Sequence, residues 1–440
     1  MSGAYACLLG HRDGAGRRLV RRAATSPLAL ALALPAVLSR AQVNTRATAA
    51  GADGTTWAEF LADVPRFNGT ARRLLIGGQR TNAVRNPRAE GVVAGTPGTL
   101  PTHWSMPTSS NGITREIVGS GVEGGINYVD IRISGTASAA AFMSVMFDAR
   151  AQFPLSPGGL LAISVFLRLV SGSMAGVVIP VGATNQNAGG GALNQFLTTN
   201  ITPTNASLAS QRVVAVATAA TFNNVDTASI TPFTQFNVTN GATVDCTLRI
   251  GWPQVELGAS FASSPILPAV GSPAASTRGA DLISATLASL GIGANGACTI
   301  LGSFLLPQVS PADSPILFQL DDGTNNNRFL AANNGGGGIS FVVGRTLAAA
   351  YVQTAAGTAA AGTLLRVGVA INGTGRAAMS LNGGTVQAVT GGPTSGLTTL
   401  RVGGNAGGTG PMSGEVASLS VLPFALADAS LPSAVLALPS

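Results

Sequence analysis

Residues 366–388 read RVGVAINGTGRAAMSLNGGTVQA: a strand, an Asn-Gly-Thr-Gly turn, a strand, an Asn-Gly-Gly turn and a third strand. Asn-Gly pairs supply the positive φ angles that tight hairpins need, so this is a β-meander written out in order. The same grammar recurs along the chain. Leu161, Ile163, Val165, Leu167 and Leu169 alternate with Ser164 and Arg168 on the other face, the period of two of a half-buried strand. CTILGSFLLP (298–307) alternates too, and GEVASLSVLPFALADASL reads as a strand followed by a short helical turn. Gly335–Gly338 is a low-complexity loop. No long amphipathic helix is written anywhere. The fold class expected is all-β: two tandem antiparallel β-sandwiches of jelly-roll type after an extended N-terminal arm.

A second strand pattern locates a boundary. Val244, Cys246, Leu248, Ile250 and Trp252 alternate, and then the phase flips, with Val255 and Leu257 apolar between polar Gln254 and Glu256. Pro253 stands at the flip, where a bulge or an edge position is expected. Past it, Pro265, Pro268 and Pro273 end the ladder, and 268–282 reads as linker. At 440 residues the chain exceeds one ordinary core. The organisation expected is an Arg-rich arm at 1–44, a small docking module at 45–82, one sandwich at 83–267 and a second at 283–440. The small module has an apolar point at Trp57, Phe60, Val64 and Phe67 and a Leu74-Leu75-Ile76 run, too little for a core of its own.

Charge is scarce, 10% of residues, and unevenly placed. There is no lysine. Residues 1–90 carry 13 Arg against five acids, +8, and the remainder 12 Arg against 13 acids, −1. A basic arm suits an anionic surface or an acidic partner. With no aromatic interleaving and no nucleic-acid motif, docking onto protein is expected and nucleic acid is not. The stretch 17–42, RRLVRRAATSPLALALALPAVLSRAQ, has two readings: a signal-like basic start with an apolar run too short to span a bilayer, or an extended arm packed on a neighbour. Cys7, Cys246 and Cys298 are odd in number and far apart, which makes neither a disulfide framework nor a zinc site. Cys246 and Cys298 fall in apolar alternation and read as small buried hydrophobes.

Several motifs then stand in a telling order. TRAT (45–48), DVPRF (63–67), RRLLIGGQRTN (72–82) and NPRAEG resemble a module of bacteriophage and prophage structural proteins, with Gly77-Gly78 where an acidic pair is usual. NPRAEGVVAGTPGTLPTHWS (86–105) resembles the opening of carbohydrate-binding-module jelly rolls, keeping Glu90 and Trp104 but with Ala89 in place of the usual Phe. RIGWPQVELGASFASSPI resembles their last strand, and TRGAD (277–281) recurs in the same context. Residues 283–440 resemble a concanavalin A-like or laminin G-like lectin sandwich. The resemblance implies a virion protein, a head or tail fibre or spike, whose arm docks on capsid or tail proteins and whose sandwiches face host-surface glycans. It also implies a homo-oligomer, a trimer by analogy with fibres. A secreted or cell-surface bacterial adhesin is the alternative, and a polysaccharide depolymerase a weaker one.

The catalytic inventory is thin. Only His11 and His103 are present, and no G-x-S-x-G, H-E-x-x-H or P-loop is found. Glycoside cleavage needs two carboxylates across one bond. The second sandwich offers Asp313, Asp321, Asp322, Glu415 and Asp428 without that spacing, so the chain is expected not to be an enzyme. Sugar binding would use an aromatic platform with amides, carboxylates and arginines around it. Trp104 and Tyr128 are the platform candidates in the first sandwich, against the reading of each as a core aromatic. In the second, LDDGTNNNRF (320–329) offers Asp321, Asp322, Asn325, Asn326 and Arg328. That cluster suits a sugar, a Ca²⁺ ion at Asp321 and Asp322, or simply an Asx-rich turn.

Overall fold

The structure is a computed structural model that describes residues 37–39, 45–198, 200–306, 315–334, 339–346, 352–358, 360, 362–408 and 410–439. The arm at 1–36, with its signal-like run and Cys7, and the Gly335–Gly338 loop lie outside these. The chain is all-β; among the described residues the strand pairing is antiparallel and the one α-helix, Leu431–Leu436, has six residues. No helix among the described residues is long and apolar enough to cross a membrane.

Two units divide the chain, and each takes more than one segment. One comprises 42–61 and 80–278. Its larger sheet has six strands in the order Arg212–Ala217, Leu161–Gly172, Thr243–Leu257, Ile126–Thr136, Ile113–Glu123 and Ser109–Ser110. The facing sheet is built on Ala141–Met146, Ser229–Val238, Val181–Gln186 and Ala192–Leu197, with Val177–Val178 beside Ser229–Val238. Between them lies a core in which Ile163, Val165, Leu167, Val244, Cys246, Leu248 and Ile250 meet Met143, Val145, Val181 and Phe236. The alternations at 161–169 and 244–250 therefore mark strands that present one apolar face. The phase flip is also real: the register slips between Gly251 and Gln254, so Trp252 and Pro253 form a bulge. Trp252 itself does not continue the inner face. It turns to the outside of the sheet, φ +40°, into a second small cluster with Ile126, Phe166, Leu208 and Leu267.

That flip explains the Gln-Val-Glu that follows. Gln254 and Glu256 are almost wholly buried and staple the turn beyond them. Gln254 Oε1 accepts from Ile266 N–H, and Glu256 Oε2 accepts from both Ser263 N–H and Gln254 Nε2. Side chains thus satisfy the backbone of a stretch that has left the sheet.

The other unit comprises 62–79 and 279–440 with Val37–Ser39. Two seven-stranded sheets face each other. One runs Val37–Ser39, Leu282–Thr286, Thr399–Val402, Ile316–Asp321, Arg328–Asn334, Ile339–Arg345, Val352–Thr358. Its partner runs Gln387–Val389, Ala377–Leu381, Leu364–Ile371, Cys298–Leu305, Gly414–Leu422, Arg73–Ile76, Phe67–Asn68. The meander read at 366–388 is present, each strand paired with the next. Leu431–Leu436 packs Leu431 and Val435 on the outside of that sheet, against Leu301, Ala370 and Ala378.

The stretch 45–82 is shared between the two units. Thr45–Ala50 and Trp57–Phe60 form a hairpin in the first, and Arg80–Asn82 pairs there with Ser276–Arg278. Phe67–Asn68 and Arg73–Ile76 instead complete a sheet of the second, adding Phe67, Leu74 and Ile76 to its core. The motif residues are joints. Arg66 and Asp281 form an ion pair at 2.6 Å with both side chains inaccessible, and Asp281 also accepts from Gly77 N–H. Asn82 bonds to Pro253 and Ile266 carbonyls and to the amides of Val84 and Val255.

Candidate functional site

In the 320–329 turn the five candidates are neighbours, but their polar groups are turned on one another. Asp321 is fully buried, and its carboxylate accepts from Arg401 Nε at 2.7 Å, Gln319 Nε2 at 2.9 Å and Gly323 N–H at 2.8 Å. Asp322 accepts from the amide and hydroxyl of Thr324, and the Thr324 hydroxyl in turn accepts from Asn326 N–H. Asn325 accepts from Gln319, and Arg328 donates to Gln319 Oε1. The Asp321 and Asp322 carboxylates therefore do not converge on a cation, since one is saturated by a guanidinium and the other caps a turn. Among the described residues no three His, Cys, Asp or Glu side chains come together to hold a metal.

Trp104 is in the core of the first unit, edge-on to Phe147 at 5.3 Å, with its indole N–H donated to Asn86 O. It offers no face to a ligand. His103 beside it is exposed and pairs with no acid. Tyr128 is half-buried, and the Arg249 guanidinium lies over its ring, 3.5 Å from the centroid. The stacked cation covers one face of that ring.

Tyr128 leads to something that the alternation alone did not reveal. On the outer face of the six-stranded sheet, register lines up polar residues from four strands in successive rows. One row crosses from Gly119 to Asp130, Arg249 and Arg168. Arg249 grips Asp130 with both ends of its fork, and Glu123 accepts from Arg249 and Arg168. Burial alone would raise Glu123, but the Leu208 N–H and the two arginines outweigh it and hold the carboxyl below its ordinary value. The next row runs Glu116, Arg132, Thr247, Ser171. Arg132 donates to both oxygens of Asp245, at 2.7 and 2.8 Å, and to Glu116 at 2.9 Å. The bond to Arg132 holds Asp245 below the ordinary carboxylate range, and the same pairing raises the guanidinium.

This second row floors an open, shallow trough of about 700 Å³. Gly172 also lines it, at φ +81°, where a Cβ would collide with the Asp245 carbonyl at 2.0 Å. Glu116, Arg132, Asp245 and Thr247 come from three strands spread over 132 positions, so only pairing register brings them together. Among the sequence candidates only Tyr128 lies on this face.

No protein-family model matches the sequence, and no curated protein matches it. Several solved structures are similar in part, three of which follow. A leech intramolecular trans-sialidase matches over 32% of this chain and 24% of its own, at 15% identity and a TM-score of 0.28. The NanB sialidase of Streptococcus pneumoniae matches over 34% and 26%, at 16% identity and 0.28. The N-terminal CBM22-1-CBM22-2 tandem domain of Paenibacillus barcinonensis Xyn10C matches over 75% of this chain and 96% of its own, at 10% identity and 0.24. The chain spans about a quarter of the length of each sialidase. At such scores these likenesses assign neither ligand nor activity.

Proposed function

We propose that this chain is a non-enzymatic structural protein of a phage or phage-like particle, whose sandwiches bind host-surface glycans through the trough on the six-stranded sheet. The observation that carries the reading is the row Glu116, Arg132, Thr247, Ser171 along the floor of an open trough. Hydroxyl, carboxylate and guanidinium groups at strand spacing, about 4.8 Å, suit the hydroxyls of an extended sugar chain. Against cleavage stands the state of the carboxylates. Glu116, Glu123, Asp130 and Asp245 are each bound to arginine, and a glycosidic general acid needs a raised pKa, whereas Glu123 and Asp245 are held low. The particle reading is supported by the phage-like motifs, whose Arg66, Asn82 and Asp281 are buried joints of the fold.

The test is titration of the full chain with capsular and envelope polysaccharides, with reducing ends and viscosity followed in the same samples. Binding without new reducing ends is expected. Release of reducing ends overturns the non-enzymatic reading, and silence across the panel overturns the binding. Intact mass from the native source decides the location. A chain retaining Met1 or Ser2 that sediments with particles is expected, and a secreted chain beginning just past Ala41 favours the adhesin.

A further inference from the structure

Thr247 is the least expected residue of the trough. Only 5% of it is exposed, and its neighbours on the strand, Cys246 and Leu248, point into the core, so its hydroxyl points outward into the trough. That hydroxyl bonds to no protein group. It faces the water of the open trough, and a ligand hydroxyl takes the place of that water without loss to the fold. On either side of it the fixed charge is unbalanced. Glu116 and Asp245 bring two negative charges against the single positive charge of Arg132, whose fork is already closed on Asp245. Glu116 Oε1 has no donor. The next row is balanced, Asp130 and Glu123 against Arg249 and Arg168. The trough is thus rich in acceptors and hydroxyls, and an entering anion could be paired only by taking Arg132 from Asp245.

We infer that the ligand of this trough is an uncharged glycan segment, with a ring hydroxyl on Thr247 and neighbouring hydroxyls donated to Glu116 and Asp245, and that acidic glycans are turned away. The inference rests on the proposed glycan-binding role and adds its chemical class. Discrimination between two ligands arises from charge left unpaired against the wrong one as well as from contacts with the right one.

Matched pairs of polysaccharides test it: dextran with carboxymethyl dextran, and hydroxyethyl cellulose with carboxymethyl cellulose, titrated against the full chain. The neutral member of a pair binds, and carboxylation weakens binding about five- to tenfold at low salt, as expected for one added charge roughly 6 Å from the carboxylates in a mostly aqueous dielectric. The gap narrows near 1 M salt, where screening acts over about 3 Å. In the doubly neutralised variant E116Q/D245N, which leaves Arg132 as the fixed charge of the row, the gap closes or reverses. Thr247→Val loses no internal bond, so its melting temperature is unchanged while neutral binding falls about tenfold, the worth of one well-made hydrogen bond. Equal or tighter binding of the carboxylated members overturns the inference and leaves glycan binding standing. Wild-type affinity in Thr247→Val overturns the placement in the trough. Failure of every polysaccharide to bind overturns the inference together with the function it rests on.

Discussion

Glu123 shows how the residues of this protein spend their few charges. It accepts from Arg168, Arg249 and the Leu208 amide, three donors from separate strands and a turn. Its folded pKa is depressed below the ordinary 4.5. A depressed carboxylate contributes stability above its unfolded pKa and loses it as pH falls through the folded one. The loss therefore begins below about pH 4.5 and is complete only at more acidic pH. Glu123→Gln removes the same contribution at every pH. The melting temperatures of wild type and variant should differ most near neutrality and converge as the solution is acidified below pH 4. A difference that stays constant down that range would show that Glu123 is not held low. The buried cysteines act in the opposite sense: burial pushes Cys246 up to about 11 and Cys298 up to about 12, so neither is a thiolate at neutral pH.

At the scale of elements the bulge at Trp252–Pro253 decides most. Up to Ile250 the strand feeds the inter-sheet core, and at Trp252 it turns to the outer cluster. The Trp252 ring lies edge-on to Phe166 at 6.2 Å and to Trp57 at 6.4 Å. Trp252→Ala keeps the left-handed backbone that an L residue adopts at a cost, and it empties the cluster. Removing a buried Trp side chain costs about 3–5 kcal/mol. Chemical denaturation should show a lower midpoint at unchanged slope, the unfolding free energy falling by that amount, and a loss under about 1 kcal/mol would mean that the outer cluster collapses freely around the gap. The position of this bulge was legible in the sequence, because a Pro between two out-of-phase alternations has few other meanings. The side to which Trp252 turns was not, since period two says that neighbours alternate and not which face receives a bulged residue. The trough was hidden for a related reason. Its parts are unremarkable within each strand, and only the register of Thr243–Leu257 against Ile126–Thr136 and Leu161–Gly172 brings Arg132, Thr247 and Ser171 abreast.

At the scale of the whole molecule the sequence order and the folded units part company. Two sandwich-like stretches separated by a Pro-rich seam invite a cut near residue 280, and local patterning offers no argument against it. The pairing that does is long-range: Arg73–Ile76 lies beside Gly414–Leu422 more than 300 residues later, and four- and two-residue strands carry too little period to announce such a partner. A fragment of 279–440 lacks both of those strands. It exposes the edge of Gly414–Leu422, loses Leu74 and Ile76 from the core, and leaves Asp281 buried without Arg66. Breaking a buried pair costs about 3–5 kcal/mol, and each lost apolar side chain about 1.5–3. The total rivals the roughly 5–15 kcal/mol that holds a whole domain folded. The fragment should show no cooperative melting transition and a tendency to pair through its open edge. A second fragment with 62–79 placed directly before 279 restores both strands and the ion pair. That join is short, because Asp281 N–H already bonds to Gly77 O at 2.8 Å. Cooperative melting of the joined fragment alone is the expected outcome by circular dichroism. Cooperative melting of 279–440 by itself would mean that the N-terminal strands decorate a sheet that is already complete.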